Sequence, residues 1–208
     1  MKRAVVILLI LSVICFGVAA NLDWSLPKLN NSMPVPKKIR TQIVLQPLGT
    51  NFDPTFLLNI HRKMSQFVPD IRLGNPMNLP KHTYYAPRSR YRADSIIHWL
   101  SSLAKPGEIY LGITHVDIST TKNAYPDWGV MGLGYQPGNA CVASSFRLKN
   151  KSSLWKVAIH ELGHTTGLPH CSVKTCFMRD AEGGNPTNEE TGFCSACRLH
   201  LLKAGWIL

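Results

Sequence analysis

Acidic side chains are scarce in this chain. Its 208 residues hold 12 Asp and Glu against 23 Lys and Arg, a formal net charge of +11. That balance favours acidic partners or surfaces, including nucleic acid and anionic lipid. The basic residues are scattered, however, at Lys37 and Lys38, at Arg88, Arg90 and Arg92, and at Lys149 and Lys151. No arginine-rich helix and no base-stacking aromatic platform is present, so no specific nucleic-acid site is expected and a solvated basic surface is the default. Internal repeats and long low-complexity tracts are also missing. Long apolar runs are limited to residues 4–18, short of the about 20 residues that span a membrane.

What is present at the start reads as an address. Lys2 and Arg3 precede the apolar run, and the small residues Ala19 and Ala20 follow it. This is the pattern of a secretory signal peptide over residues 1–20, cut before Asn21. Export to a secreted or periplasmic location is expected, and an uncleaved segment 4–20 would instead anchor the chain in a membrane. Cys15 follows the bulky Ile14, which is wrong for lipid attachment, and falls in the discarded segment. Residues 21–37, with Pro27, Pro34 and Pro36, read as a tether. The remainder, residues 38–208, is long enough for one domain with a sizeable core.

The most informative run is His160-Glu161-Leu162-Gly163-His164, followed by Gly167, His170 and Cys171. On a helix, residues four apart project from one face about one turn apart, so His160 and His164 can bind one zinc. Glu161 lies beside the first ligand and can reach a metal-activated water as general base without being a ligand. Gly167 can adopt positive φ, end the helix sharply and let His170 approach the same metal. Three imidazoles leave a fourth position open, which is the arrangement of a catalytic site.

Four cysteines follow: Cys171, Cys176, Cys194 and Cys197. As thiolates they suit a closed structural zinc site. Two disulfides are the competing reading if the chain matures in an oxidising compartment. A redox Cys-x-x-Cys is a third, although no thioredoxin-like strand–helix context surrounds it. The remaining cysteine, Cys141, lies in an apolar stretch and reads as a small core residue.

The extended histidine motif running into Cys171, then Cys176 with Met178 two residues on, then Cys194 and Cys197, resembles the archaemetzincins, a family of metzincin zinc metallopeptidases. The matched motif covers residues 160–197, and a weaker likeness in element order reaches back to about Arg40. The interval between Met178 and Cys194 is about two residues shorter than the family pattern, a difference a surface loop absorbs. The resemblance implies two zinc ions, one catalytic on His160, His164 and His170 and one structural on Cys171, Cys176, Cys194 and Cys197. It implies that Met178 forms the apolar Met-turn floor beneath the histidines. It also implies a peptide or protein substrate and a limited, aminopeptidase-like activity. The alternative is a catalytically silent secreted binding module in which both zincs are structural. Glu161 separates the two, because a closed structural site has no use for a carboxylate there.

The fold class that follows is α+β and zincin-like. A mixed twisted sheet with packed helices, an active-site helix and a zinc-stapled C-terminal segment are expected. Strands are expected at residues 39–46, 71–73, 109–113, 129–135 and 141–146, and helices at 54–67, capped by Asp53, and 91–103. The active-site helix should start at Ser152 or Ser153 and bury Leu154, Val157 and Leu162. By the resemblance, residues 129–135 form the upper rim of the cleft, antiparallel to bound peptide. Gly129, Gly132 and Gly134 permit close backbone approach there.

Overall fold

The computed structural model describes residues 41–208; the expected signal peptide and tether, with Cys15, lie outside the described residues. In chain order the elements are β1 (Gln42–Leu48), α1 (Pro54–Met64), β2 (Ile71–Leu73), β3 (Tyr84–Tyr85), β4 (Arg90–Arg92) and α2 (Ala93–Leu103). Then come β5 (Glu108–Thr114), β6 (Ile118–Lys122), β7 (Tyr125–Val130), β8 (Gly132–Gly134), β9 (Ala140–Ser144), α3 (Leu154–Thr165) and α4 (Ser195–Lys203).

A five-stranded sheet in the order β2-β1-β5-β9-β8 carries the core. Its first four strands are parallel, and β8 closes one edge antiparallel to β9. Parallel strands are buried on both faces, and β9 is buried along its whole length and apolar from Ala140 to Ala143. Cys141 and Ala143 face one core cluster with Leu162 of α3 and Ile60 of α1. Ala140 and Val142 face the other with Ile96 and Leu100 of α2. The period of two along the strand thus feeds two helical layers. Truncating a fully buried member such as Leu111 to alanine would cost about 2–5 kcal/mol.

A smaller sheet, β3-β4-β6-β7, stands beside the first. Ile118 anchors it in the α2 core cluster, with Tyr91 and Val130 packed alongside, and ion pairs tie its strands further. Arg90 lies between Asp117 (3.2 Å) and Asp127 (3.3 Å), and Arg147 meets Asp117 at 2.9 Å.

Several expected elements change at their ends. Asp53 caps α1 by accepting from Thr55 N at 2.9 Å, but the helix stops at Met64. Tyr91 belongs to β4, paired with Ile118, so α2 starts at Ala93. Asn150, not Ser152 or Ser153, supplies the side-chain cap before α3: its carboxamide oxygen accepts from Ser152 N in a 3₁₀ turn, Lys151–Ser153. The expected single strand over 129–135 is two. Gly129 pairs with Ser119 in the small sheet, whereas Gly132 pairs with Ala143 in the large one, so the chain changes sheet at Met131.

Between α3 and α4 regular structure is limited to a 3₁₀ turn, Pro186–Asn188. Phe177 N donates to Gly192 O (2.9 Å) and Cys171 N to Met178 O (2.7 Å). Phe177 and Phe193 meet edge to face at 5.2 Å, and both approach Phe67 after α1.

Candidate metal centre and cleft

Gly167 takes φ of +87° directly after α3, as the turn toward His170 requires. His160, His164 and His170 then converge, each offering a ring nitrogen within 4.8 Å of the others. His160 Nδ1 lies 2.7 Å from Phe177 O, and His164 Nδ1 lies 2.7 Å from Leu168 O. A carbonyl only accepts, so both Nδ1 atoms carry the proton and both Nε2 atoms are bare. Those two Nε2 atoms face each other at 3.1 Å. Two lone pairs at that separation repel, and a cation between them removes the conflict. Tetrahedral zinc with bonds of about 2.0–2.1 Å to nitrogen places its ligands near such a separation. The donor set therefore fits zinc.

Burial, with His164 and His170 nearby, brings His160 down to about 3, so its ring is neutral and available as a donor of electrons. His170 is half exposed, and its Nδ1 lies 3.5 Å from Asp180 Oδ2, a contact that orients the outermost of the three rings. Met178 is fully buried. A Cβ on Gly163 would stand 2.6 Å from Met178 Sδ, so the glycine in the helix makes room for that side chain.

Glu161 is 7 % exposed, and burial pushes its carboxyl up to about 8. The edge strand lies directly on it. A Cβ on Gly132 would fall 2.5 Å from Glu161 Cγ and 2.7 Å from Cδ, and one on Gly134 would fall 2.7 Å from Glu161 O. Gly129, the third glycine of the expected rim, instead covers the guanidinium of Arg147.

The four remaining cysteines of the C-terminal segment also converge, with their sulfurs within 4.8 Å of one another. Cys171 Sγ and Cys194 Sγ are 3.6 Å apart, and all four are free thiols. That separation is close to the about 3.8 Å expected between sulfurs sharing a zinc at about 2.3 Å. The backbone of Cys197, then the neighbouring thiols, bring Cys194 down to about 7. Cys141 is fully buried away from them, and burial raises its thiol.

A cleft of about 630 Å³ runs along the outer edge of β8 past the three histidines. Lys156, Asp180, Arg147 and Glu190 also line it. None of these carried a sequence signal, because each sits outside the motif on a segment that only the fold brings to the cleft. Of the side chains open to an oxyanion role, Arg179 lines the cleft but is held by Glu189 at 2.5 Å. Tyr125 is exposed, and neither it nor Tyr135 lines the cleft. His115 is packed against Phe52 and Phe56, and Asp117 is engaged by Arg147 and Arg90.

The chain is similar to known proteins in sequence and in fold. The matrixin family model matches residues 74–189. The archaemetzincin of Haloquadratum walsbyi is 30% identical over 144 residues, covering 62% of this chain and 80% of that protein. The archaemetzincin of Halobacterium salinarum is 30% identical over 145 residues, covering 62% and 81%. Among solved structures, the archaemetzincin of Archaeoglobus fulgidus superposes with a TM-score of 0.64 at 26% identity, covering 77% of this chain and 99% of that one. The archaemetzincin of Methanopyrus kandleri gives a TM-score of 0.68 at 23% identity, covering 82% and 98%, a likeness of fold. By sequence, fold and donor set together, the chain belongs to the archaemetzincin family of zinc metallopeptidases.

Proposed function

We propose that the chain hydrolyses peptide bonds with zinc held by His160, His164 and His170 and with Glu161 as general base. A zinc ion there supplies Lewis acidity, polarising the peptide carbonyl and bringing the pKa of water to about 7. The observation that carries the reading is the buried, unligated Glu161 beside three convergent imidazoles and beneath an open strand edge. A silent binding module has no use for that carboxylate.

The protein's own groups have separable tasks. Phe177 O and Leu168 O accept from the Nδ1–H groups of His160 and His164, which fixes both rings and keeps both Nε2 atoms basic. The edge of β8 offers main-chain donors and acceptors to an extended peptide running antiparallel to it. Glu161 receives a proton from the attacking water on a carboxylate oxygen and returns it to the departing amine nitrogen. Burial alone raises its carboxyl to about 8, and a zinc dication beside it would favour the ionised form that accepts the proton. Met178 packs beneath the histidines and takes no chemical part.

A second zinc on Cys171, Cys176, Cys194 and Cys197 staples the segment that carries Met178 and reaches α4. Residues 1–20 support export, with membrane anchoring through residues 4–20 as the variant of that reading, and residues 38–208 form the catalytic domain. Metal analysis tests the assignment of both ions. The parent should hold two zincs, His160→Ala with His164→Ala one, and Cys171→Ser with Cys194→Ser one. Only the histidine pair should abolish peptide cleavage while leaving the melting transition in place. Two zincs retained by the histidine variant would overturn the assignment.

A further inference from the structure

The cleft continues past the histidines toward the first turn of α3, and its wall there carries a carboxylate that the chemistry above does not use. Lys156 and His160 are four residues apart on α3, so they share a face about one turn apart. Lys156 Nζ donates to Thr187 O at 2.5 Å and to Glu190 O at 2.6 Å, which fastens the segment after Pro186 to the helix at that level. Glu190 is 5 % exposed and lines the cleft. Its carboxylate accepts no hydrogen bond from a described residue. The nearest cations are committed elsewhere: Lys156 to the two carbonyls and Arg179 to Glu189. A buried carboxylate facing a cavity without a donor is best satisfied by a donor that enters the cavity.

We infer that Glu190 selects peptides whose residue immediately after the scissile bond donates hydrogen bonds from a cationic side chain, lysine or arginine. The inference rests on the peptidase reading. The direction follows from how β8 lies on α3. Gly132 covers the Glu161 side chain, whereas Gly134 covers Glu161 O and the Cβ of His164. Strand and helix therefore advance the same way. A peptide antiparallel to β8 enters over His164 and leaves toward Lys156, so its residue after the scissile bond is the one that meets Glu190. Lys156 from α3, with Arg179 and Glu189 from the C-terminal segment, face the same carboxyl. Burial pushes it up to about 7 against the pull of Lys156 and Arg179. An entering ammonium or guanidinium favours its ionised form.

The test uses the zinc-loaded full chain and a peptide set that varies only the residue after one scissile bond. Lysine or arginine there should raise kcat/KM about tenfold or more over norleucine, the scale of a charge-assisted hydrogen bond. Glu190→Gln, which keeps the shape, should bring that ratio toward one. Cleavage with no basic preference, or a preference that survives Glu190→Gln, overturns the inference while leaving the peptidase reading intact. If the parent cuts none of the peptides, the peptidase reading fails in that assay. Fluorescence-anisotropy binding of lysine and norleucine peptides, with and without Glu190→Gln, then decides the inference alone. Tighter lysine-peptide binding that needs Glu190 supports it, and equal binding overturns it.

Discussion

Gly132→Ala should disable the enzyme without touching a metal ligand. The added Cβ would stand 2.5 Å from Glu161 Cγ and 2.7 Å from Cδ. Carbon–carbon contacts settle at about 3.5–4.0 Å, so the carboxylate has to retreat by roughly 1 Å. Glu161 is 7 % exposed, and its backbone is itself pressed by Gly134, so the displacement falls on the side chain. A misplacement of that size costs about 100-fold in rate, or about 2.7 kcal/mol of transition-state stabilisation. His160 and His164 keep their carbonyl partners, so zinc content should not change. The assay is kcat/KM on a fluorogenic peptide, read beside zinc content and the melting curve. Gly129→Ala is the control, because its Cβ meets the guanidinium of Arg147 instead. A Gly132→Ala protein at full zinc within about threefold of the parent would refute the argument that Glu161 is confined under β8.

Three further outcomes follow from particular contacts. Cys176→Ser should lose the structural zinc and unfold at lower denaturant, since such sites contribute about 10–16 kcal/mol of apparent binding energy; thiol titration of the native parent should detect no disulfide. Gly163→Ala should destabilise the fold by about 1–2 kcal/mol in urea, opposite to the usual gain in a helix, because its Cβ meets Met178 Sδ at 2.6 Å. Glu190 has its pKa raised from 4.5 to about 7 in the fold, so its protonated form is the stable one there. Its contribution is present below the unfolded value and lost as pH rises through about 7. Glu190→Gln should therefore be more stable than the parent at pH 8, by on the order of 1–3 kcal/mol at most, with the gain vanishing toward pH 4.

The residues proposed to hold metal stood out in the sequence because their chemistry is local. His160 and His164 share a helix face, Gly167 can turn at positive φ, and four cysteines at short spacings can meet without long-range knowledge. The fold brings them into two groups, three histidines and four cysteines. The strands 42–48, 108–114 and 140–144 were legible for a related reason, since burial on both faces leaves mostly apolar centres, residues 43–45, 109–113 and 140–143.

The small sheet was not legible. Its strands β3 and β4 are only two and three residues long, and the ion pairs among Arg90, Asp117 and Asp127 join residues distant in sequence. The rim strand was misjudged for the same cause: residues 129–135 form one run in sequence, and only the pairing partners Ser119 and Ala143 reveal the switch at Met131. Glu190 was invisible because its place in the cleft depends on Lys156 holding Thr187 O and Glu190 O.

The measurement that bears most directly on the central claim is cleavage of a diverse peptide library by zinc-loaded protein beside Glu161→Ala at equal zinc occupancy. The account predicts cuts by the parent and a loss of at least about 100-fold in the variant, the scale of a general-base contribution. Equal cleavage by the two proteins would contradict Glu161 as the base, and no cleavage by the fully zinc-loaded parent would contradict the peptidase reading itself.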